Sequence, residues 1–244
     1  VNAVARRKVS WWRVATGALM AAASLFILYQ LWLFCMVVWY AYQEPGSTSI
    51  MRQELTRLQA RDPGIALQYE WVPYERISDN LKRAVVAAED SNFVGHDGVE
   101  WDAIRKAWQY NQEQAARKGE RGRIRGGSTI TQQLAKNLFL SPSRSYVRKG
   151  QELVLAYMIE HVMTKRRILE LYLNVAEWGE GVFGAQAAAR HYFRTDASRL
   201  TAAQAAKLAA MLPNPRFYDR NRSTAYLNSR TATLQRRMRL VEIP

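Results

Sequence analysis

Between Val14 and Ala41 the chain carries no charged residue, which splits it into an apolar leading part and a longer mixed part. As a helix rising 1.5 Å per residue, this stretch of about 28 residues reaches roughly 42 Å. That exceeds the roughly 30 Å hydrocarbon core of a bilayer, so it should span and tilt or project. Trp11 and Trp12 before it, and Trp39, Tyr40 and Tyr42 at its far end, stand where interfacial aromatic belts form. Ser24 and Gln30 inside the span are placed to meet a partner helix or are simply tolerated there. A cleavable signal peptide would have a shorter apolar region and a small-x-small site, which Ala41-Tyr42-Gln43 lacks. Arg6, Arg7, Lys8 and Arg13 precede the span and no cation follows before Arg52, so the amino end is expected in the cytoplasm and the remainder outside.

Beyond the linker at Pro45 to Ser49 the apolar positions recur at helical spacing. Ile50 to Ala60 is an amphipathic helix broken by Asp62-Pro63-Gly64. Leu67 to Tyr74 has weak strand character, limited by Pro73. Ser78 caps a helix bearing Leu81, Val85 and Ala88, which leaves Glu89 and Asp90 at its carboxyl end, against the helix dipole. Acids placed for stability sit at the other end, so this pair hints at function. A helix from Val99 to Arg117 and a basic, Gly-rich loop from Gly119 to Gly127 follow. Ser128 or Thr129 opens the next helix, where Ile130, Leu134 and Leu138 make the apolar stripe and Gln132, Gln133 and Lys136 project elsewhere. Free backbone donors at that start favour an anion. Ser141-Pro142-Ser143 ends it, and helices are predicted over Ser145 to Val162, after a Thr164 cap, over Ala185 to Tyr192 and over Thr201 to Leu212, the last stopped by Pro213 and Pro215. The tail from Ser223 to Leu240 is helical and basic. Without an internal repeat, this is one mainly α-helical domain.

Charge and cysteine narrow the classes. The lone Cys35 lies in the span, so no disulfide framework exists. The net charge is +14, and about +10 remains once the four amino-terminal cations are set aside. Anionic lipid, a phosphorylated substrate or nucleic acid each explain such an excess. An outward-facing domain without an RNA-binding signature or zinc-finger spacing excludes nucleic acid. His96, His161 and His191 form no metal-ligand pattern.

Two acid-bearing segments, Glu89 to Gly98 and Arg148 to Glu152, are candidates for chemistry. Paired carboxylates suit glycosyl transfer, one accepting a proton from the attacking hydroxyl while the other balances charge near the leaving group. Taken singly, each Glu is more often a solvated helix residue. The blocks Glu89-Asp90-x-x-Phe93-x-x-His96-x-Gly98, Gly126-Gly127-Ser128-Thr129-Ile130-Thr131-Gln132-Gln133, Arg148-Lys149-x-x-Glu152 and Lys165-x-x-Ile168-Leu169-x-x-Tyr172-Leu173-Asn174 resemble, in order, the motifs of peptidoglycan glycosyltransferases of family 51. The resemblance covers about Tyr69 to Pro215.

It implies a lysozyme-like helical glycosyltransferase domain over 50–244, joined by a linker at 43–49 to a transmembrane helix at 14–42 and a basic cytoplasmic segment at 1–13. The implied reaction polymerises lipid II into glycan strands by inverting transfer, with β-1,4 bonds formed and polyprenyl diphosphate released, in the bacterial inner membrane with the catalytic domain periplasmic. Glu89 matches the general base, and Glu152 the second acid, which assists diphosphate departure through a metal or a cationic cluster. Lys136, Arg144, Arg148, Lys149 and Lys165 match or neighbour the basic pocket, and Ser128, Thr129, Gln132 and Gln133 line the cleft. Asp90 supports Glu89 or the local backbone, Phe93 packs, and His96 is a structural hydrogen-bonder. Magnesium would accompany the diphosphate, with Glu152 the one candidate metal ligand. The implied partners are lipid II, the lipid-linked nascent glycan, the bilayer and cell-wall synthesis proteins. Ser-x-x-Lys occurs nowhere, so no acyl-transfer module is expected. A lytic hydrolase and an anchored scaffold are the rival readings. Trp71, Trp101, Trp108, Tyr110 and Trp178 are candidates for a membrane-dipping surface, with core burial the ordinary alternative.

Overall fold

In a computed structural model that describes residues 11–118, 126–141, 143 and 145–244, the uncharged stretch is one helix, α1 (Trp11–Tyr42). Among the described residues it is the one helix long and apolar enough to cross a membrane, and it is overwhelmingly exposed. Arg6, Arg7 and Lys8, on which the orientation argument leans, lie outside the described residues. Its last turns are not free: Leu33 and Val37 are buried against the domain, and Tyr40 meets the ring of Phe139 at 5.9 Å.

Ser and Thr caps start most of the remaining helices, with those at Ser78, Thr129 and Thr164 as expected. Thr48 caps α2 (Ser49–Gln59), Ser78 caps α3 (Asp79–Glu89), and α4 (Trp101–Lys118) follows. Thr129 caps α5 (Ile130–Phe139), Ser145 α6 (Tyr146–Val162) and Thr164 α7 (Lys165–Val175). α8 (Ala185–Phe193) and α9 (Ala202–Met211, capped by Thr201) complete the expected set, and α11 (Ala225–Arg237) forms the tail. After a charged first turn, α7 buries Ile168, Leu169, Leu171, Tyr172, Leu173 and Val175, so its later turns run through the core with α5 against them. α9 presents Ala205, Ala206, Ala209 and Ala210, small enough for α3 and α11 to pack closely on it. α5 also packs on α6, which lies against α1.

Three short strands differ from expectation. Only Gln68–Tyr69 of the weak strand pairs (β1), because Pro73 and the turn at Tyr74–Arg76 end it. β2 (Glu177–Gly179) and β3 (Val182–Phe183) form a hairpin too short to leave a periodic signature, and β3 also pairs parallel with β1. Gly184 follows at φ 83°, where a Cβ would stand 2.6 Å from the Asn174 carbonyl oxygen. Pro215 does not merely stop α9; it begins α10 (Pro215–Arg220) in the first turn, where its missing N–H costs nothing. Arg216 on α10 then reaches Glu177 at 2.6 Å and the buried Glu54 of α2 at 2.8 Å, tying the strands to both ends of the fold.

Candidate active site

Glu89 is the last residue of α3, and the chain leaves it in an extended turn at Asp90 (φ −159°). Asp90 is buried and fully engaged: its carboxylate accepts from His96 Nε2 at 2.9 Å and from the Ile130 backbone N–H at 3.0 Å. It therefore holds backbone geometry and joins the α3 exit to the start of α5. His96 is the structural hydrogen-bonder expected, and Phe93 is wholly buried. Gly98 closes the turn at φ 83°, with Glu160 and the Ala156 carbonyl where a side chain would go.

This joint leaves Glu89 half-buried at one wall of a cleft of about 680 Å³. The opposing walls come from Gly126–Thr129 and Gln133 of α5, Glu100 and Tyr110 near α4, and Tyr226, Arg230 and Arg237 of α11. Burial raises the Glu89 carboxyl above its ordinary value, while a hydrogen bond from Gln133 Nε2 at 2.8 Å and the charges of Arg230 and Lys136 oppose that rise. Tyr172, on α7, donates its hydroxyl to Gln133 Oε1 at 3.0 Å and so turns the amide nitrogen toward Glu89. Burial holds that phenol protonated, far above an ordinary tyrosine.

Glu152 does not line the cleft. It is buried on α6 beneath its own cations, with Arg148 Nη1 at 2.6 Å on one oxygen and Lys149 Nζ at 2.5 Å on the other. Lys149 also donates to Ser128 Oγ at 3.0 Å, and Ser128 does line the cleft. Lys136 lies in the field of both acids: burial lowers its ammonium, Glu152 and Glu89 raise it, and Arg148 and Lys149 push it down. The two glutamates thus face a shared cationic group, one from the cleft and one from behind it. Both Glu152 oxygens are occupied by protein cations, and no cluster of three metal-ligating side chains exists among the described residues. The donor set does not fit a protein-held metal ion.

Three further expectations change in detail. Gln132 does not project outward; it is wholly buried and completes a capping box, its Oε1 accepting from the Thr129 N–H while Thr129 Oγ1 accepts from the Gln132 N–H. Thr129 also donates to the Gly98 carbonyl at 2.6 Å, so its side chain braces the wall rather than facing a ligand. Lys165 points away from the cleft, onto Glu160 at 2.9 Å, the His96 carbonyl and the face of Phe93. Arg144 lies outside the described residues. Arg230 and Arg237, by contrast, gave no signal in a tail that reads merely as basic. Arg148 Nε, Arg230 Nε and Gln132 Nε2 are buried donors without a hydrogen-bond partner. Unsatisfied buried donors are rare; Arg230 is the one of these residues that lines the cleft, which suits an anionic ligand there.

The sequence profile of the family described as Transglycosylase matches residues 57–239, which include α11 and its arginines. The chain belongs to the transglycosylase family. A biosynthetic peptidoglycan transglycosylase of Bordetella pertussis is 73% identical over 240 residues, covering 98% of each chain. Proteins of the same name from Herminiimonas arsenicoxydans and Methylobacillus flagellatus are 56% and 52% identical over 238 residues. As a transglycosylase this protein is a glycosyltransferase, and its activity implies a lipid-linked glycan substrate. The apolar α1 fits a single-pass anchor for it.

Proposed function

We propose that this protein polymerises lipid II into peptidoglycan strands by direct displacement in the cleft between α3, α5 and α11. Supporting this is a desolvated carboxylate, Glu89, placed across the cleft from Arg230, whose Nε lacks a partner. Glu89 takes the proton from the 4-hydroxyl of lipid II as that oxygen attacks the anomeric carbon of the growing chain's lipid-linked end. The new C–O bond forms as the bond to diphosphate breaks, its electron pair leaves on the diphosphate, and an α-linked donor gives a β-1,4 product. Lys136, Arg148 and Lys149 stabilise the charge that builds there, more in the transition state than before it. Glu152 keeps Arg148 and Lys149 aimed. Magnesium, where present, belongs to the diphosphate rather than to this protein. The setting proposed is the bacterial inner membrane, with the amino end cytoplasmic, residues 50–244 periplasmic, and cell-wall synthesis proteins as neighbours.

Purified full-length protein in vesicles, given labelled lipid II or finished glycan strands in separate reactions, tests the reading. Strand growth with release of polyprenyl diphosphate is expected. Cleavage of finished strands without growth would identify a hydrolase and overturn it. Glu89→Gln with undiminished polymerisation would deny Glu89 the role of base, and no strand growth by the wild type would favour a scaffold.

A further inference from the structure

Gln30 sits in the apolar span, yet its side chain is paired. Its Nε2 donates to Gln151 Oε1 at 2.8 Å, and Gln151 Nε2 donates back to Gln30 Oε1 at 3.0 Å. The roughly 20 residues that cross a hydrocarbon core, counted from the start of α1 at Trp11, end at Gln30, which puts the pair at the outer edge of the apolar layer. Little water competes for an amide at that edge, so each amide is the other's best partner. Leu33 and Val37, on the same face of α1 one and two turns further along, are buried. Arg167 closes the contact by donating to the Tyr40 carbonyl at 3.0 Å and the Gln43 carbonyl at 2.7 Å. Gln151 directly precedes Glu152, and the same turns of α6 carry Arg148 and Lys149. Tyr146 and Val147, at the start of α6, are 98% and 86% exposed, an apolar end suited to lipid.

We infer that the Gln30–Gln151 pair fixes the height of the α6 cations relative to the bilayer, which makes both glutamines positioning residues for a substrate whose diphosphate is tethered to a buried lipid tail. The inference rests on the proposed lipid-linked substrate. Its test uses the full-length chain in phospholipid vesicles, with Gln30→Leu, Gln151→Leu and the double variant. Each single change should raise KM for lipid II roughly tenfold with kcat nearly unchanged, the signature of lost substrate placement. The double variant should be no worse than either single, since one contact is removed in all three. With a short-chain, water-soluble donor and acceptor, all variants should match the wild-type KM, an outcome that general misfolding would not give. A fluorophore on Tyr146→Cys, in a Cys35→Ser background, should change its quenching by brominated lipid when the pair is removed.

Unchanged KM in vesicles, an equal rise on both substrates, or unaltered quenching would each overturn the inference. If the wild-type chain makes no strands from either substrate, the functional reading fails instead, and the quenching still decides whether the pair sets depth.

Discussion

Glu89 stands where two forces resist a negative charge: the carboxyl end of α3 and partial burial. A base must be ionised to act, so activity is expected to fall as pH drops through its raised value. Gln133→Leu removes the hydrogen bond that favours the anion, and the acid limb of kcat/KM should move to higher pH; a limb that stays in place would remove Gln133 from this role. Lys136 is displaced the other way, its ammonium lowered by burial, so the alkaline limb should lie below that of an ordinary lysine. Lys136→Arg, always charged, should extend that limb upward. Stability follows from the same signs. The folded state holds the Glu89 proton more tightly than the unfolded chain, so its contribution to stability is present at low pH and lost as pH rises through the raised value. Glu89→Gln should therefore cut polymerisation by roughly 10²- to 10⁴-fold while raising Tm by about 2 °C, read by strand assay and thermal melt.

The helices were legible because two independent signals agreed: an apolar stripe, and a Ser or Thr at its start. Ser78, Thr129, Ser145, Thr164 and Thr201 all accept the hydrogen bond of a cap. Gln132 was misplaced for an instructive reason. Helical spacing puts it off the stripe, but Thr129-x-x-Gln132 is also the capping-box pattern, and that hydrogen bond pulls it inward. α10 and the β2–β3 hairpin carry neither signal at useful length. The α5 cap is also where stability and site meet, since it sets the direction in which Gln133 and Lys136 project. Thr129→Ala should cost about 1–2 kcal/mol, a fall in Tm of roughly 2–8 °C, with a partial loss of polymerisation. Thr129→Ser should restore both, and failure to do so would mean that the methyl group, not the hydroxyl, matters there.

Across the whole molecule the cleft closes only because the chain returns. α11 packs on α9 and α3 through Leu227 and Leu234, and its first turns reach the wall opposite α5. Motif resemblance located Glu89, Gln133 and the α6 cations but stopped near Pro215, and one arginine in a basic helix carries no local mark of its partner. Position along α11 supplies that mark. Arg230 and Arg237 are seven residues apart, hence on one face, and both line the cleft, whereas Arg236 borders a separate hollow with Arg239. Arg230→Ala should lower kcat/KM by roughly 10- to 100-fold and move the acid limb upward, because Arg230 favours the Glu89 anion. Its melting temperature should hold, since apolar contacts fasten the helix. Arg236→Ala removes the same charge from the same helix and should leave kcat/KM unchanged. Equal losses from the two variants would trace the effect to net charge and deny Arg230 its place at the reacting groups.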